Sequence, residues 1–240
     1  MSTLIFQLFS AMQSWGKEDK FSIYSTNREP SKSAVIGLIA AAMGIQEHEQ
    51  SEFDELNKLR FAVRCDCPGS VMSDYHTAAG DASIFHLVKK QRGKKVKYEA
   101  KPAAYMKSGR RESEITYREY LTDAFFTVGL EGDVALLQRA AVAFSKPKFF
   151  LYLGRKSCPL TFPIMPKLVE SPLLDAVMTF PTVKRNEILP MRIFFDASEG
   201  EIRRDVFAGM HGNTRMYHIR FVKSLVCDPP KETFTFGFGG

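Results

Sequence analysis

The stretch KPKFFLYLGRKSCPL at residues 146–160 joins an aromatic run to a group of anion-binding residue types. Gly154 is followed by two cations, Arg155 and Lys156, and then by the hydroxyl of Ser157. Glycine permits close backbone approach, and cations and hydroxyls are the groups that proteins place on phosphate oxygens. A plain turn would need only glycine with Asn or Asp. We therefore interpret residues 154–157 as an anion-binding loop.

Cations beside aromatic or hydroxyl residues recur along the chain, in TNREPSKS (26–33), TYREY (116–120), KPKFF (146–150) and YLGRKS (152–157). Each offers a charge-assisted phosphate contact beside a flat ring on which a base could stack. The helix that is predicted to begin at Ser31 adds free backbone N–H groups at its N-terminus, and such groups favour a bound anion. The repetition favours RNA over unrelated surface charges, with candidate contacts at Arg28, Ser31, Lys32, Tyr117, Arg118, Lys148 and 154–157.

His76, in the segment SDYHTA, is the histidine best placed for chemistry, because it stands beside Tyr75 and shortly before a basic segment. Two interpretations are open. A histidine with Tyr and Lys nearby could be the general base that activates an RNA 2′-hydroxyl, which gives metal-independent cleavage. Alternatively, Tyr75 and His76 bind bases by stacking or hydrogen bonding without reacting. The lack of a second histidine nearby in sequence favours binding.

Other reaction classes have no support in the sequence. It contains no GxxxxGK[ST], GxGxxG, HExxH or GxSxG motif, which leaves nucleotide hydrolysis and zinc hydrolase chemistry without a basis. The spacing of Cys65 and Cys67 is wrong for a zinc knuckle, so we expect no metal, no cofactor and reduced thiols. With no apolar run of membrane-spanning length and no signal sequence, we expect a cytoplasmic protein without membrane contact.

The positive charge of the chain is concentrated in one segment. Residues 89–111 hold ten basic residues and one acid, Glu99, whereas the rest of the chain holds 23 basic and 26 acidic residues. Such an arm on a nearly neutral body is typical of polyanion binding. A solvated loop is the alternative, but interleaved aromatic and apolar residues argue against it. The arm's candidate contacts are Lys94, Lys95, Lys97, Arg110 and Arg111.

The elements that carry these residues have a recognisable order. The patterns predict strands at 3–10, 60–66, 70–80, 114–131 with a bend near Thr122-Asp123, and 149–153. They predict helices at 34–45, with Ser31 as N-cap and Gly44 as the stop, at 51–59 and at 132–146. We interpret the first 155 residues as β-α-β-β-α-β with the basic segment inserted in the middle, which predicts an α+β, ferredoxin-like (RRM-like) core.

The last third of the chain is predicted to be β-rich. Residues 192–197, 201–209 and 214–227 have strand patterns, which we interpret as a second, smaller sheet. The predicted organisation is thus a core at 1–165, with a thumb-like insertion at 80–114, followed by a β-rich region at 166–240. Fold alone does not decide function, since ferredoxin-like sheets support many activities.

Six blocks, occurring in order, resemble the CasD family of the type I-E CRISPR surveillance complex Cascade. They are AMQSWG (11–16), SAVIGLIAAAMGI (33–45), FAVRCD (61–66), DYHTA (74–78), TYREYLTDAFFTVGL (116–130) and YLGRKSCPLTFP (152–163). The likeness covers roughly residues 1–165 and is weak from 166 onward. Between Gly80 and Glu114 the chain departs from the family pattern, with a longer and more basic insertion.

The resemblance implies a non-catalytic antiviral-defence subunit of a ribonucleoprotein complex that holds the 5′ handle of the guide crRNA. It implies contacts with a CasC-type backbone subunit and a CasA-type large subunit, and with target DNA indirectly through the complex. The protruding thumb would be about 80–114. The resemblance implies a handle groove lined by Gln13, Trp15, Tyr75, His76, Arg118 and the loop 154–157.

Two other functions stay open. In the related type I-C subunit, which cuts precursor crRNA itself, His76, Tyr75 and a nearby lysine would be catalytic. A general single-strand RNA chaperone would use the same basic arm without preferring a repeat-derived sequence. An assay with repeat RNA separates the three, because the RNA is cut, bound specifically, or bound no better than any other.

Overall fold

The computed structural model describes residues 1–16, 23–78, 85–92, 95–102, 114–184, 190–212 and 214–235, with the backbone alone for 78, 85–92, 95–102 and 114. The chain divides into two compact units. Unit 1 consists of Met1–Lys17, Thr26–Met72 and Tyr120–Gly240, and unit 2 of Glu18–Ser25 and Ser73–Glu119. Among the described residues, no helix combines the length and apolar character needed to cross a membrane.

Strands make up most of the regular structure. In chain order they are β1 Thr3–Phe9, β2 Met12–Gln13, β3 Trp15–Gly16, β4 Ile23–Tyr24, β5 Thr26–Asn27, β6 Arg60–Cys67, β7 Ser70–Ala78, β8 Phe85–Arg92, β9 Lys95–Pro102, β10 Glu114–Thr122, β11 Phe125–Glu131, β12 Lys167–Val169, β13 Thr182–Val183, β14 Met191–Ala197, β15 Glu201–His211, β16 Thr214–Cys227 and β17 Thr233–Phe234. The helices are α1 Lys32–Met43, α2 Gln50–Asn57, α3 Val134–Ser145 and α4 Leu173–Thr179.

Unit 1 is built on a seven-stranded sheet with the strand order β12-β1-β11-β6-β14-β16-β15. Each neighbouring pair in this order is antiparallel. β1 lies between two partners, since Ile5 is opposite Gly129 on one side and Lys167 on the other. Apolar residues on both faces of a strand are typical of such a central position.

The two faces of this sheet are covered by different helices. Leu4, Phe6 and Leu8 alternate along β1 and are fully buried in the larger core, together with residues of α1 and α3. Phe6 meets Phe144 of α3 with ring centroids 5.1 Å apart. On the opposite face α4 packs through Leu173 against Ala62 of β6 in a smaller cluster. The central strands β1, β6 and β11 are thus buried on both sides.

The predicted helix boundaries are confirmed by their caps. The Ser31 hydroxyl accepts a hydrogen bond from the Ala34 N–H at 3.3 Å, and Gly44 ends α1 with a left-handed φ of 83°. Asp133 caps α3 by accepting from the Leu136 N–H at 2.9 Å. The predicted bend is also confirmed, because Asp123 between β10 and β11 has a φ of 56°.

The strand predicted at 149–153 is wrong. These residues, all of them described, form no strand; the single bridge in this segment pairs Tyr152 with Pro159. Phe150 is 72% exposed, although its aromatic run predicts burial. The edge position beside β1 is occupied instead by β12, whose lysine and short length give it a weak sequence pattern.

The second sheet predicted for the C-terminal third is also wrong, although the strands themselves are confirmed. β14 pairs with β6, with Phe194 opposite Val63, and β16 and β15 follow outward. Residues from 191 onward therefore extend the first sheet. Backbone pairing between distant segments decides this, and strand periodicity carries no information about the partner.

Unit 2 contains strand pairs that lie outside the large sheet. β4 pairs in parallel with β10, with Tyr117 opposite Ile23 and Arg118 opposite Tyr24. β8 and β9 form an antiparallel two-stranded ribbon within the basic segment. Among the residues of unit 2 whose side chains are described, the exposed aromatic residues are Tyr75 on β7 and Tyr117 on β10.

Candidate nucleic-acid interface

The predicted anion-binding loop in unit 1 is anchored at both ends. The Leu153 N–H donates to the Cys158 carbonyl at 2.8 Å, and the Cys158 N–H donates to the Arg155 carbonyl at 2.8 Å. Leu153 and Cys158 are fully buried, whereas Lys156 and Ser157 are exposed. The backbone therefore presents a short polar tip, residues 154–157, on a fixed base.

Gly154 is required by the chain itself. Its φ is 89°, and a Cβ placed there would lie 1.5 Å from the Ser14 carbonyl oxygen. The Ser14 N–H also donates to the Leu153 carbonyl at 3.0 Å, which holds the two segments together. Gly154 was expected to permit close approach of the backbone to RNA, and this expectation is corrected. The glycine permits close approach of two segments of the chain's own backbone.

The tip lies against Tyr120, which the sequence analysis did not single out. The Arg155 guanidinium carbon lies 5.0 Å from the centroid of the Tyr120 ring, a cation–π contact. The Tyr120 and Ser157 hydroxyl oxygens are 3.4 Å apart. Tyr120 is 3% exposed, so the ring is a fixed support. Tyr120 is the last residue of the TYREY stretch, but only Tyr117 and Arg118 of that stretch were predicted as contacts.

Cys158 follows the tip but is not an available nucleophile. Burial raises the pKa of its thiol above the ordinary value, against the opposing effects of the Ser157 hydrogen bond, the Arg155 backbone and the Arg155 charge. A thiol with a raised pKa is neutral near pH 7 and behaves as a small apolar group. The loop's chemistry is therefore that of anion binding.

Gln13 and Trp15 were predicted to line the groove, but both belong to the core of unit 1. Trp15 is 1% exposed and meets Phe126 edge-on at a centroid distance of 6.4 Å. Its Nε1–H donates to the Gln13 side-chain oxygen at 3.1 Å, and the Gln13 amide donates to the Ala124 carbonyl at 2.7 Å. With its faces buried, the indole does not offer a surface to a base, and we correct both assignments.

The predicted anion site at the start of α1 is occupied by the protein's own carboxylates. The Lys32 N–H donates to Asp205 at 2.9 Å, and the Lys32 Nζ is 3.0 Å from Asp196. Lys32 is 6% exposed and Ser31 serves as the N-cap. The helix N-terminus does bind an anion, but the anion is Asp205, so Ser31 and Lys32 are corrected to structural roles.

Arg220 completes this group of charges. It contacts Asp205 through Nε and Asp196 through Nη1, each at 2.6 Å. Burial lowers the pKa of the guanidinium, but hydrogen bonds and charges of Asp205 and Asp196 outweigh it, so the pKa is raised. The cluster fastens β14, β15 and β16 to the start of α1.

Two further predicted contacts in unit 1 lie at the surface. Arg28 is exposed just before α1, and Lys148 is exposed after α3. The Lys148 N–H donates to the Ala42 carbonyl at 2.9 Å, and its aliphatic chain lies against Gly44. Both residues keep the exposure that a phosphate contact requires.

In unit 2 the structure brings two predicted residues together. The rings of Tyr75 and Tyr117 meet edge to face at 5.5 Å, and they are 54% and 43% exposed. His76, next along β7, places Nε2 at 2.6 Å from the Asp74 carboxylate. The arrangement offers an exposed aromatic pair and a histidine beside a carboxylate, although the His76–Asp74 contact lacks hydrogen-bond geometry.

Arg118 lies on the other face of β10 from Tyr117, because successive strand residues alternate. Its guanidinium carbon is 5.7 Å from the Tyr24 ring centroid, and Tyr24 is its cross-strand neighbour on β4. Tyr24 was not predicted as a contact, because it precedes β10 by about ninety residues and has no motif of its own. Only the parallel pairing reveals this contact.

The basic arm is described in part. Lys94, Arg110 and Arg111 lie outside the described residues, whereas Lys95 and Lys97 lie in the backbone of β9. The register places Lys95 opposite Arg92 and Lys97 opposite Lys90. Four cationic residues therefore occupy directly opposite positions as two pairs, an arrangement of like charges that is unfavourable without an anion.

Metal chemistry was not predicted, and within the part of the chain that the structure describes no group of three or more His, Cys, Asp or Glu residues is placed to hold a metal ion.

Comparison with known proteins identifies the family. The sequence model of the family described as CRISPR-associated protein (Cas_Cas5) matches residues 3–223. The CRISPR system Cascade subunit CasD of Escherichia coli (strain K12) is 35% identical over 175 residues, which cover 68% of this chain and 69% of that protein.

Two solved structures agree. One, described as a crystal structure of a Cas protein, is 30% identical with a TM-score of 0.69 and covers 95% of this chain and 97% of its own. A chain of a CRISPR RNA-guided surveillance complex is 25% identical with a TM-score of 0.73, covering 95% and 91%. The resemblance found in the six sequence blocks is confirmed, and the chain belongs to the CRISPR-associated Cas5 protein family.

Proposed function

We propose that this chain is a non-catalytic subunit of a type I-E CRISPR surveillance complex that binds and caps the 5′ handle of the guide crRNA. The family and the likeness to a Cascade subunit support membership of such a complex. The observation that carries RNA binding is the anchored polar tip in unit 1. There Arg155, Lys156 and Ser157 offer two cations and a hydroxyl on a rigid backbone, as phosphate contacts require.

The proposed contacts are those predicted residues whose surroundings suit RNA. In unit 1 they are Arg28, Lys148 and the tip. In unit 2 Tyr75, His76, Tyr117 and Arg118 supply rings for stacking and a cation for phosphate. In the arm they are Lys94, Lys95, Lys97, Arg110 and Arg111.

We also propose that β1, α1, β6, β11, α3 and β12 form a ferredoxin-like core. The strand order β12-β1-β11-β6 with antiparallel neighbours supports this, since consecutive β-α-β-β-α-β elements then fill one sheet. The thumb is proposed at 80–114, inserted between β7 and β10. Because β12 is Lys167–Val169, the proposed core extends past the predicted boundary at residue 165, and β14, β16 and β15 of the β-rich region continue its sheet.

The proposed partners are the crRNA, a CasC-type backbone subunit and a CasA-type large subunit, with target DNA reached through the complex in the cytoplasm. Co-purification of the tagged chain tests this. We expect the other subunits and a processed crRNA to elute with it, and a chain that elutes alone when all components are co-expressed contradicts the proposal. The purified chain should also bind repeat RNA more tightly than a scrambled RNA of equal length.

A second function, metal-independent cleavage of precursor crRNA, is favoured by one observation. The imidazole Nε2 of His76 lies 2.6 Å from the Asp74 carboxylate, beside the exposed Tyr75. A carboxylate partner of this kind can orient a histidine that acts as a general base. The same geometry serves a histidine that only binds RNA.

We expect the purified protein to leave a repeat-containing precursor RNA intact in buffer with a metal chelator. The reason is that attack by the 2′-hydroxyl needs a base, and departure of the 5′-oxygen needs an acid. His76 has no neighbouring histidine in sequence to supply the second group. Denaturing gel electrophoresis of end-labelled RNA is the measurement. Cleavage that disappears in His76→Ala, but persists in the matched surface variant His48→Ala, would establish the nuclease instead.

Arg118→Ala is expected to weaken binding of handle RNA by about 1–3 kcal/mol, the range for a charge-assisted contact. The guanidinium lies on the Tyr24 ring, which restricts its motion. Fluorescence anisotropy with labelled RNA is the measurement. Arg139→Ala, which removes an exposed arginine paired with Glu52, is the control. A fall in thermal stability with unchanged RNA affinity of the folded protein would show that Arg118 is structural.

A further inference from the structure

Tyr120 contacts both ends of the polar tip. Its ring supports the Arg155 guanidinium at 5.0 Å, and its hydroxyl lies 3.4 Å from the Ser157 hydroxyl. Lys156, between the two, is exposed. Tyr120 itself is buried at 3% exposure near the end of β10. The two contacted groups are phosphate ligands by residue type, whereas Tyr120 does not reach the surface to bind anything.

A surface arginine normally loses much rotational freedom when it binds an anion. The planar guanidinium stacks favourably on aromatic faces, and the contact with a buried ring restricts its motion before RNA arrives. The backbone adds to this, because Gly154 and Cys158 fix the loop on either side. Preorganised donors bind more tightly, since less freedom is lost on binding.

We propose that Tyr120 is a positioning residue that fixes Arg155 and Ser157 as a two-donor site for one backbone phosphate of single-stranded RNA. This inference rests on the proposed function, because it assigns the tip to RNA. It adds that affinity depends on a buried residue that does not touch the RNA. It also makes the guanidinium plane of Arg155, beyond its charge, a requirement of the site.

A double-mutant cycle tests the proposal. The full-length chain is prepared with Tyr120→Leu, with Arg155→Ala and with both, and its affinity for labelled single-stranded repeat RNA from the same CRISPR locus is measured. Tyr120→Leu alone should weaken binding about threefold to tenfold, the equivalent of a cation–π contact. In the Arg155→Ala background it should cause a clearly smaller further loss, because Ser157 is then the one group left for Tyr120 to position.

The outcomes separate the inference from the proposed function. If Arg155→Ala leaves the affinity unchanged, the tip does not bind RNA and the proposed function loses its main support. If Arg155→Ala weakens binding but Tyr120→Leu weakens it equally in both backgrounds, RNA binding stands and the positioning role is overturned. Tyr120→Phe keeps the ring that supports Arg155 but removes the hydroxyl beside Ser157, so its loss of affinity should be smaller than that of Tyr120→Leu.

Arg155→Lys provides a test that does not alter the core. Arg155 is partly exposed, so the substitution should leave folding intact, and it preserves the charge while removing the planar group. We expect a loss of affinity close to that of Tyr120→Leu, with little change in the salt dependence of binding. Wild-type affinity in Arg155→Lys would show that charge alone suffices and would overturn the proposal.

Discussion

Asp66→Ala is expected to lower the free energy of unfolding by about 3–5 kcal/mol, because it leaves a buried arginine without its counter-charge. Arg64 and Asp66 are each fully buried on β6 and joined at 2.7 Å. The same Asp66 oxygen accepts from the Thr182 hydroxyl at 2.5 Å. Arg64 also donates to the carbonyls of Val177 and Met178 at 2.5 and 3.1 Å. The network ties the end of α4 and β13 to the sheet.

Urea unfolding followed by tryptophan fluorescence suits this measurement. Trp15 is the only tryptophan in the sequence and is buried in unit 1, so its emission reports on the unit that contains the pair. Glu52→Ala is the matched control, because it breaks the exposed pair with Arg139, and pairs of that kind contribute about 0–1 kcal/mol. A loss below about 1 kcal/mol in Asp66→Ala would mean that Arg64 finds another partner or water.

The local elements of the fold could be predicted because local patterns specify them. Ser31, Gly44 and Asp133 are caps whose chemistry acts within one helical turn. The bend at Asp123 lies between two apolar runs. The strand at 149–153 failed for the opposite reason: Leu151 and Leu153 are buried, but the backbone groups around them bond to the loop and to α1. An apolar sequence predicts burial better than it predicts pairing.

The pairing of β14 with β6 could not be predicted from periodicity. Alternation reports which residues share a face, and the same pattern fits any sheet edge. The charges Asp196, Asp205 and Arg220 were visible in the sequence, but their joint contact with Lys32 depends on that pairing. The same pairing explains why the anion site predicted at the start of α1 is wrong. The Lys32 side chain and its backbone N–H already contact carboxylates of the protein itself.

Among the candidate site residues, residue type predicted chemistry but not exposure. Trp15 and Tyr75 are both aromatic residues next to polar ones, yet one is in the core and the other is half exposed. Tyr120 and Tyr24 were missed because their roles are defined by neighbours distant in sequence. The tip at 154–157 could be predicted as an anion-binding loop because its glycine, cations and hydroxyl are consecutive. Its glycine, however, is required by the close approach of the Ser14 backbone.

The arm's register adds a physical reason to expect a bound polyanion. Lys90 is opposite Lys97 and Arg92 is opposite Lys95 in the ribbon of β8 and β9. Like charges in directly opposite positions destabilise a strand pair, and the segment 89–111 contains a single acid to offset ten cations. A bound phosphate backbone would remove this repulsion. Binding of a polyanion should therefore stabilise the ribbon.

Replacing five arm cations by glutamine is expected to flatten the salt dependence of RNA binding by roughly two to three log units per log unit of salt. Each phosphate neutralised on single-stranded RNA contributes about 0.7 to that slope, and we allow for incomplete contact by each residue. Affinities measured at several salt concentrations give the slope. Folding should change by less than about 0.5 kcal/mol, as for most exposed substitutions. The replaced residues are Lys94, Lys95, Lys97, Arg110 and Arg111.

A control variant removes the same charge from the surface of unit 1. Five exposed cations, each paired with a carboxylate, are replaced by glutamine. The salt dependence of RNA binding should stay at the wild-type value, because the net charge of the protein does not determine it. If the arm instead faces target DNA or a neighbouring subunit, handle affinity and slope will be unchanged and the loss will appear in the assembled complex. Unchanged slopes in both assays would leave a solvated loop as the explanation of the arm. The control residues are Lys58, Arg60, Arg139, Arg215 and Lys223.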